Sequence, residues 1–170
     1  GGGSGADGMV FMFYKDWDYD PGIGGFLGFH CRDVGVECPR NYAPGYGIEF
    51  DNYYNSKQEY GDIYGDGDPS PNHIALIKDF IGTHITYVND SRTEDNVWHH
   101  VKLIIKNSEI ILFIDGEQTL VWNGYIDRSN NHIGFGSGIW GYDHKHIIDD
   151  FKLYGNTITI NGLYPNWNIK

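Results

Sequence analysis

Five side chains in the first half of the chain have the types and spacing of a divalent-cation site. Glu49 and Asp51 stand two positions apart in a predicted strand, so both carboxylates point to the same face of a sheet. Asn55 supplies an amide oxygen just beyond them, Asp68 adds a carboxylate, and His73 adds an imidazole. Such oxygen ligands suit a hard cation such as Ca²⁺, and the imidazole suits a transition ion such as Mn²⁺. The stretch therefore predicts a two-metal loop that could fix a ligand site beside it.

Short strands separated by turns must position these side chains. The 170-residue chain contains 24 Gly, 13 Tyr and 9 Phe, a composition that favours turns and strands over helices. No segment predicts a helix, whereas Asp115-Gly116 is a strong signal for a two-residue hairpin. The predicted strands are 9–14, 46–54, 73–78, 85–88, 97–106, 110–114, 119–122, 133–137, 146–154 and 157–160. This pattern predicts a single all-β domain over residues 1–170, an antiparallel β-sandwich or jelly roll.

The charge of the chain argues against two classes of partner. The formal net charge is −11, and both nucleic acid and anionic membranes require a basic surface. No apolar run approaches the roughly 20 residues of a membrane span. We therefore expect no nucleic acid, no membrane insertion and a neutral partner.

The two cysteines, Cys31 and Cys38, are separated by six residues. Zinc would require more Cys or His at close spacing, and a thioredoxin-type motif would require two intervening residues. The preferred interpretation is a local disulfide, which indicates an oxidising compartment, and the alternative is two free thiols.

Four segments, in order along residues 5–155, resemble the L-type (legume-type) lectins of the concanavalin-A-like lectin/glucanase superfamily. Ala6-Asp7-Gly8 and the apolar strand after it resemble the Ala-Asp-Gly motif of these lectins. Gly24-Gly25-Phe26-Leu27-Gly28 resembles their Gly-Gly-x-Leu-Gly loop. The stretch from Glu49 to His73 resembles their metal loop, and residues 133–137 and 147–153 resemble the last core strands around a variable loop. Residues 156–170 would then be a C-terminal extension.

The resemblance implies a calcium-dependent, non-catalytic domain that binds a glycan or glycoprotein outside the cell or at its surface. It implies Ca²⁺, together with Mn²⁺ or another divalent transition ion. The implied metal ligands are Glu49, Asp51, Tyr53, Asn55, Asp68 and His73. The implied sugar-contacting residues are Asp7, Gly25, Tyr53, Asn55, Ser137 and Trp140, with core packing as the alternative for Trp140. The family also places a cis peptide bond before the aspartate of its Ala-Asp-Gly motif, which is the Ala6–Asp7 bond here.

The chain departs from the family pattern in three places, one of which is the tail Thr157–Lys170 beyond the expected end. Asn55 and Asp68 are 13 positions apart, and the insertion between them carries Glu59, Asp62 and Asp66. One of these three carboxylates would replace an assigned ligand or form an extra calcium site. Only five residues precede Ala6, where the family has several strands. Those N-terminal strands are absent, rearranged or supplied elsewhere, which predicts self-association or a partner chain that completes the sheets.

Two other functions compete with glycan binding. The first is a structural or adhesive subunit of a cell surface or filament that keeps the fold. The second is a glycoside hydrolase, since the same sandwich hosts glucanases. The laminarinase-type motif Glu-x-Asp-x-x-Glu is incomplete here, because Tyr54 stands where its second Glu would be. We therefore expect no enzyme activity.

Overall fold

The described residues form eight strands in two antiparallel sheets. The computed structural model describes residues 5–15, 24–29, 45–60, 65–139 and 145–155. The strands are β1 (Gly8–Tyr14), β2 (Tyr46–Asp51), β3 (His73–Lys78), β4 (Phe80–Asn89), β5 (Val101–Ile105), β6 (Glu109–Ile114), β7 (Glu117–Asn123) and β8 (His132–Gly138). One sheet has the order β4-β3-β2-β1-β8 and the other the order β5-β6-β7. The predicted all-β sandwich is confirmed.

Alternation along the strands divides the apolar side chains between the two faces of the five-stranded sheet. One face packs against the three-stranded sheet through an inner cluster of buried residues. That cluster includes Ile48, Ile74 and Leu76 from one sheet and Ile110 and Leu112 from the other. Each such side chain contributes about 1.5–3 kcal/mol when fully buried. This inner cluster holds the two sheets together.

The opposite face of the five-stranded sheet is also buried, by a segment that returns over it. Val10, Met12 and Ile77 form an outer cluster with Leu27 and Phe29. Leu27 and Phe29 belong to a turn that follows a 3₁₀-helix, Gly24–Phe26. Polar residues on the same face of β2 and β3, namely Glu49, Asp51 and His73, are buried as well.

Most of the predicted strands are observed within a few residues of their bounds, and the hairpin at Asp115-Gly116 is confirmed. Both turn residues have positive φ, 53° and 85°, as a type I′ turn requires. The expectation of no helix is wrong by one short element, α1 (Lys57–Tyr60), and by two 3₁₀-helices, Gly24–Phe26 and Ser91–Thr93. No helix in the described part of the chain is long and apolar enough to span a bilayer.

The strand predicted at 146–154 is not observed. This segment has no strand pairing within the described residues, and Asp150 has a φ of 52°, which interrupts an extended backbone. Phe151 contacts the sheet, with its ring edge-on to Phe135 at 5.2 Å between centroids and tilted against Phe11 at 6.3 Å. The apolar residues that suggested a strand are mostly solvent-exposed here. The strand predicted at 157–160 lies outside the described residues.

His99 connects the loop before β5 to the β6–β7 turn through contacts with Asp95 and Asp115, and we call these three residues the His99 clip. His99 Nδ1 lies 2.6 Å from Asp115 Oδ2, and His99 Nε2 lies 3.0 Å from Asp95 Oδ2. A carboxylate only accepts, so both ring nitrogens donate at once only when the imidazole is protonated. The hydrogen bonds to Asp115 and Asp95 therefore raise the pKa of His99.

The His99 clip predicts a pH-dependent contribution to stability. Because the pKa of His99 is raised on folding, its contribution is complete below the ordinary value of about 6.5 and is lost as the pH rises through the folded value. We expect His99→Gln to lower the free energy of unfolding more at about pH 6 than at about pH 9, measured by urea denaturation. His100→Gln, at an exposed neighbouring position, is the control. An equal loss at both pH values would contradict the His99 clip.

Candidate metal centre

The strand register brings three of the predicted ligands to one buried face. Asp51 of β2 pairs with His73 of β3, and Glu49 pairs with Ala75, so the three ionisable side chains share a face with the outer cluster. All three have an exposed fraction of 0%. The sequence expectation that Glu49 and Asp51 point to one side is confirmed by this register.

Four side chains converge at the centre of this buried patch. Glu49 Oε2 lies 3.2 Å from His73 Nε2 and 3.1 Å from His84 Nε2. Asp68 Oδ1 lies 4.0 Å from His84 Nε2. One ligand atom from each residue lies within 4.8 Å of the ligand atoms of the other three. This group could hold a metal ion. We call these four residues the metal cluster.

The orientation of His73 suits a metal ligand. Its Nδ1 lies 2.9 Å from the carbonyl oxygen of Ser70, and a carbonyl only accepts, so Nδ1–H donates there. In the neutral ring the lone pair is then on Nε2, which faces Glu49. A backbone carbonyl that fixes the tautomer in this way is the usual outer partner of a metal-bound histidine.

Burial of several carboxylates in one place perturbs their protonation. Burial and the charge of Glu49 raise the pKa of Asp68 to about 7. Burial and the charges of Asp68 and Glu49 raise the pKa of Asp51 well above its ordinary value. Burial also acts on Glu49, but hydrogen bonds from His73 and His84 outweigh it and lower that pKa. The patch has more buried negative charge than its two imidazoles compensate.

A divalent cation would satisfy buried carboxylate oxygens that have no hydrogen-bond partner among the described residues. Glu49 Oε1 and Asp51 Oδ2 are buried and have no hydrogen-bond partner among the described residues. A buried carboxylate oxygen without a donor costs several kcal/mol unless a charge or a donor reaches it. Two carboxylates and two imidazoles are also ligands that divalent metals accept. The cluster therefore fits a metal on its chemistry as well as on its spacing.

The long insertion closes on itself, which explains how ligands 13 positions apart come together. Ser56 and Gly67 form an antiparallel bridge at its base. Beside this bridge, Asn55 N–H donates to Asp68 Oδ2 at 2.5 Å, and Asp68 N–H donates to the Asn55 carbonyl at 2.9 Å. The insertion therefore extends the loop without separating Asn55 from Asp68.

One of the three acidic residues of the insertion was a candidate to replace a ligand or form an extra calcium site, and Asp66 does not enter the metal cluster. Its carboxylate is 92% exposed and pairs with Lys57 Nζ at 2.9 Å. Asp62 and the side chain of Glu59 lie outside the described residues.

Residues predicted to contact sugar lie next to the metal cluster. Asp7 is buried at the start of β1, and its charge contributes to the raised pKa of Asp51. Its backbone N–H donates to the Gly138 carbonyl at 2.8 Å, and the Ala6–Asp7 peptide bond is cis, as expected. Gly25 packs so closely on Asn55 that a Cβ there would lie 2.7 Å from the Asn55 side-chain nitrogen. Asp7, Gly25 and Asn55 therefore flank the cluster from three separate segments.

Of the remaining predicted site residues, Tyr53 and Ser137 lie in the described part of the chain and Trp140 does not. Tyr53 is partly buried, and its backbone N–H donates to Asp51 Oδ1 at 2.7 Å. Ser137 is exposed on β8, opposite Met9 of β1. Trp140 lies outside the described residues, as do the cysteines of the predicted disulfide, Cys31 and Cys38.

His84 is the member of the metal cluster that the sequence reasoning missed. The predicted strand began one residue later, at 85, and regular alternation from Val88 would turn His84 toward the inner cluster. A signal was present, because a histidine 11 positions after His73 falls on the hairpin partner of that strand. The irregular pairing that turns it to the other face is not visible in the sequence.

Comparison with known proteins adds no identification, since no family model and no curated protein matches the chain. The function must therefore be argued from the site itself.

Metal removal is expected to destabilise the protein. An ion that binds only the native state at 100 times its Kd stabilises by about 2.7 kcal/mol, which is roughly 5–10 °C in Tm for a chain of this size. We expect Ca²⁺ or Mn²⁺ to raise the Tm of the chelator-stripped protein by this order, measured by calorimetry. The double variant Glu49→Gln/His73→Gln removes two residues of the metal cluster, so it is the control and should lose the rise in Tm that Mn²⁺ gives. An identical melting curve with and without ions would contradict the metal centre.

Proposed function

We propose that the chain is a non-catalytic carbohydrate-binding domain whose ligand site is organised by calcium. The supporting observation is a continuous contact from the metal cluster to the predicted sugar contacts. Asp68 belongs to the cluster, its carboxylate accepts from the Asn55 backbone, and the Asn55 side chain packs on Gly25. A metal that fixes Asp68 would also fix Asn55 before a ligand arrives.

The chemistry of these groups matches a pyranose. Adjacent sugar hydroxyls are satisfied by a carboxylate, an amide and a backbone N–H, here from Asp7, Asn55 and Gly25. The ring of Tyr53, or of Trp140, would cover the apolar face of the sugar. Because the metal orders the loop in advance, less conformational entropy is lost when the sugar binds. The resemblance to L-type lectins supports the same assignment of roles.

Binding is favoured over glycoside hydrolysis by the burial of the carboxylates. A retaining hydrolase requires two carboxyl groups about 5–5.5 Å apart on either side of the scissile bond. Glu49 and Asp51 have exposed fractions of 0%, and Glu49 is held between two histidines. A polysaccharide chain would not reach either group.

The proposed metals are Ca²⁺ at the oxygen ligands of Asp51, Tyr53 and Asn55, and a transition ion at the metal cluster. The proposed location is the cell surface or the extracellular space, with a glycan or glycoprotein as partner. The proposed Cys31–Cys38 disulfide would fit that location.

A role as an adhesive or structural subunit remains the second proposal, because one specific observation supports it. On the edge strand β5, Val101 and Ile105 have exposed fractions of 45% and 44%. They lie on the same face of the sheet as Ile114 and Ile110 of β6, which are buried. An exposed apolar edge favours pairing with another chain. Regular polymers in electron micrographs of the purified protein would support this role, and a monodisperse monomer would count against it.

Asp7→Ala is expected to weaken glycan binding at least about tenfold, the effect of losing a hydrogen bond to a charged group. The fold should survive, because Asp7 holds its place in the sheet through backbone bonds to Gly138 and Asn52. Binding would be measured on a glycan array and then by calorimetry with the best ligand. Asp149→Ala, at an exposed position, is the control. Wild-type binding by the Asp7 variant would rule out the proposed contact.

Gly25→Ala tests the contact between Gly25 and Asn55. The added methyl group would displace the Asn55 amide, so we expect glycan binding to be lost while the rise in Tm from a transition ion at the metal cluster persists. The matched control is Gly134→Ala in β8, where the nearest atom to an added Cβ is an ordinary 3.5 Å away. Equal glycan affinity of the two variants would contradict the role of Asn55.

A further inference from the structure

A β-bulge turns His84 toward the metal cluster. Along the β3–β4 pair, Leu76 opposes Thr86, but the next residue, Ile77, opposes His84 instead of Ile85. The register shifts on both sides of Ile77. A bulge inserts one residue and re-aims the side chains that follow it. Here Ile85 packs against the inner cluster, while His84 reaches Glu49 on the other face.

The distances at His84 match those between two ligands of one small ion. Ligand atoms about 2.05 Å from a tetrahedral Zn²⁺ lie roughly 3.3 Å apart. Glu49 Oε2 lies 3.1 Å from His84 Nε2 and 3.2 Å from His73 Nε2. The His84 side chain is 8% exposed, so the cluster is closed to bulk solvent on that side. Glu49 and the two histidines thus have the spacing of ligands to one ion, and Asp68 Oδ1, 4.0 Å from His84 Nε2, would complete the site by a small side-chain movement.

The contacts of the other members point to an ion at the same place. His73 Nδ1–H donates to the Ser70 carbonyl, so the contact between His73 Nε2 and Glu49 Oε2 requires either a second proton on the ring or a cation between the two atoms. Independently, Glu49 Oε1 is fully buried and has no hydrogen-bond partner in the described part of the chain. A cation bound between the imidazoles and the carboxylates would resolve both features.

We propose that His84 is a metal ligand and that, with Glu49, Asp68 and His73, it makes a two-imidazole, two-carboxylate site selective for tetrahedral Zn²⁺-type ions. This inference deepens the proposed function, since it concerns the transition ion that would be bound at the metal cluster beside calcium. A second imidazole replaces oxygen ligands or water with nitrogen, which suits zinc and disfavours the hard, oxygen-preferring Mn²⁺. His84 is thus the residue that sets metal selectivity.

Zinc generally binds nitrogen and oxygen sites more tightly than manganese does, so a preference for zinc alone would prove little. The informative quantity is how His84 changes that preference. We expect His84→Ala to weaken Zn²⁺ binding at least about 100-fold, beyond the usual effect of an outer-shell partner, and Mn²⁺ binding less than about tenfold. Both Kd values would be measured by competition with a chromophoric chelator. His100→Ala, an exposed histidine, is the control and should change neither value.

Cobalt provides a direct view of the geometry. Tetrahedral Co²⁺ absorbs visible light far more strongly than octahedral Co²⁺, so the wild type should give an intense spectrum that His84→Ala loses. His84→Cys should restore Zn²⁺ binding, because thiolate is a good tetrahedral ligand, and should add a sulfur-to-cobalt charge-transfer band in the near ultraviolet. This second variant keeps the test valid if His84→Ala fails to fold.

The proposal is overturned if Zn²⁺ affinity is the same in His84→Ala and the wild type, or if His84→Cys shows no charge-transfer band. Glycan binding by the same variants separates this failure from failure of the proposed function. Zinc bound through His84 with no glycan binding would overturn only the proposed function. Glycan binding with zinc affinity insensitive to His84 would overturn only the present inference.

Discussion

Burial of the Glu49 carboxylate between two imidazoles is the interaction on which the arrangement of the outer sheet face depends. A carboxylate removed from water costs several kcal/mol unless donors or charges replace its hydration. His73 and His84 supply two donors, and their hydrogen bonds lower the Glu49 pKa in spite of its burial. Since Asp68 and Asp51 add further negative charge to the same patch, a bound cation would complete the compensation.

That constraint explains why the outer face carries two kinds of side chain. Toward one end of β2 and β3 the face is apolar, and the turn containing Leu27 and Phe29 covers it. Toward the other end it is ionisable and converges on the metal cluster. The two parts belong to the same strands, so the apolar packing holds the ligand-bearing backbone in place. Preorganisation of the cluster is therefore a consequence of core packing.

Contacts outside the sheet connect the cluster to the neighbouring surface. The insertion closes through Ser56 and Gly67, and this closure keeps Asn55 hydrogen-bonded to Asp68. The Asn55 side chain packs on Gly25, which lies in the 3₁₀-helix just before the turn that covers the sheet. A metal at the cluster would thus act on a surface built from three separate segments. Such an arrangement would allow a bound ion to affect the proposed ligand site without contacting the ligand.

The sequence alone determined the fold class and most of the cluster. Alternating apolar residues and the Asp115-Gly116 turn were sufficient for an antiparallel sandwich, because these signals are local. Glu49, Asp68 and His73 were recognisable because carboxylate and imidazole side chains at this spacing are typical metal ligands. The prediction of a strand at 146–154 was wrong. Its apolar residues have the pattern of a strand, but a strand also requires a neighbouring strand to pair with, and the local sequence does not specify one.

Tertiary structure decided the rest. His84 enters the cluster only because a bulge shifts the β3–β4 register by one residue, and such a shift moves a side chain to the opposite face. Asn55 meets Gly25 only because a turn far away in the chain folds over the sheet. The sequence determines the pattern of residue types along each strand. Packing across the whole domain decides which face a side chain takes in an irregular strand and which distant segments come into contact.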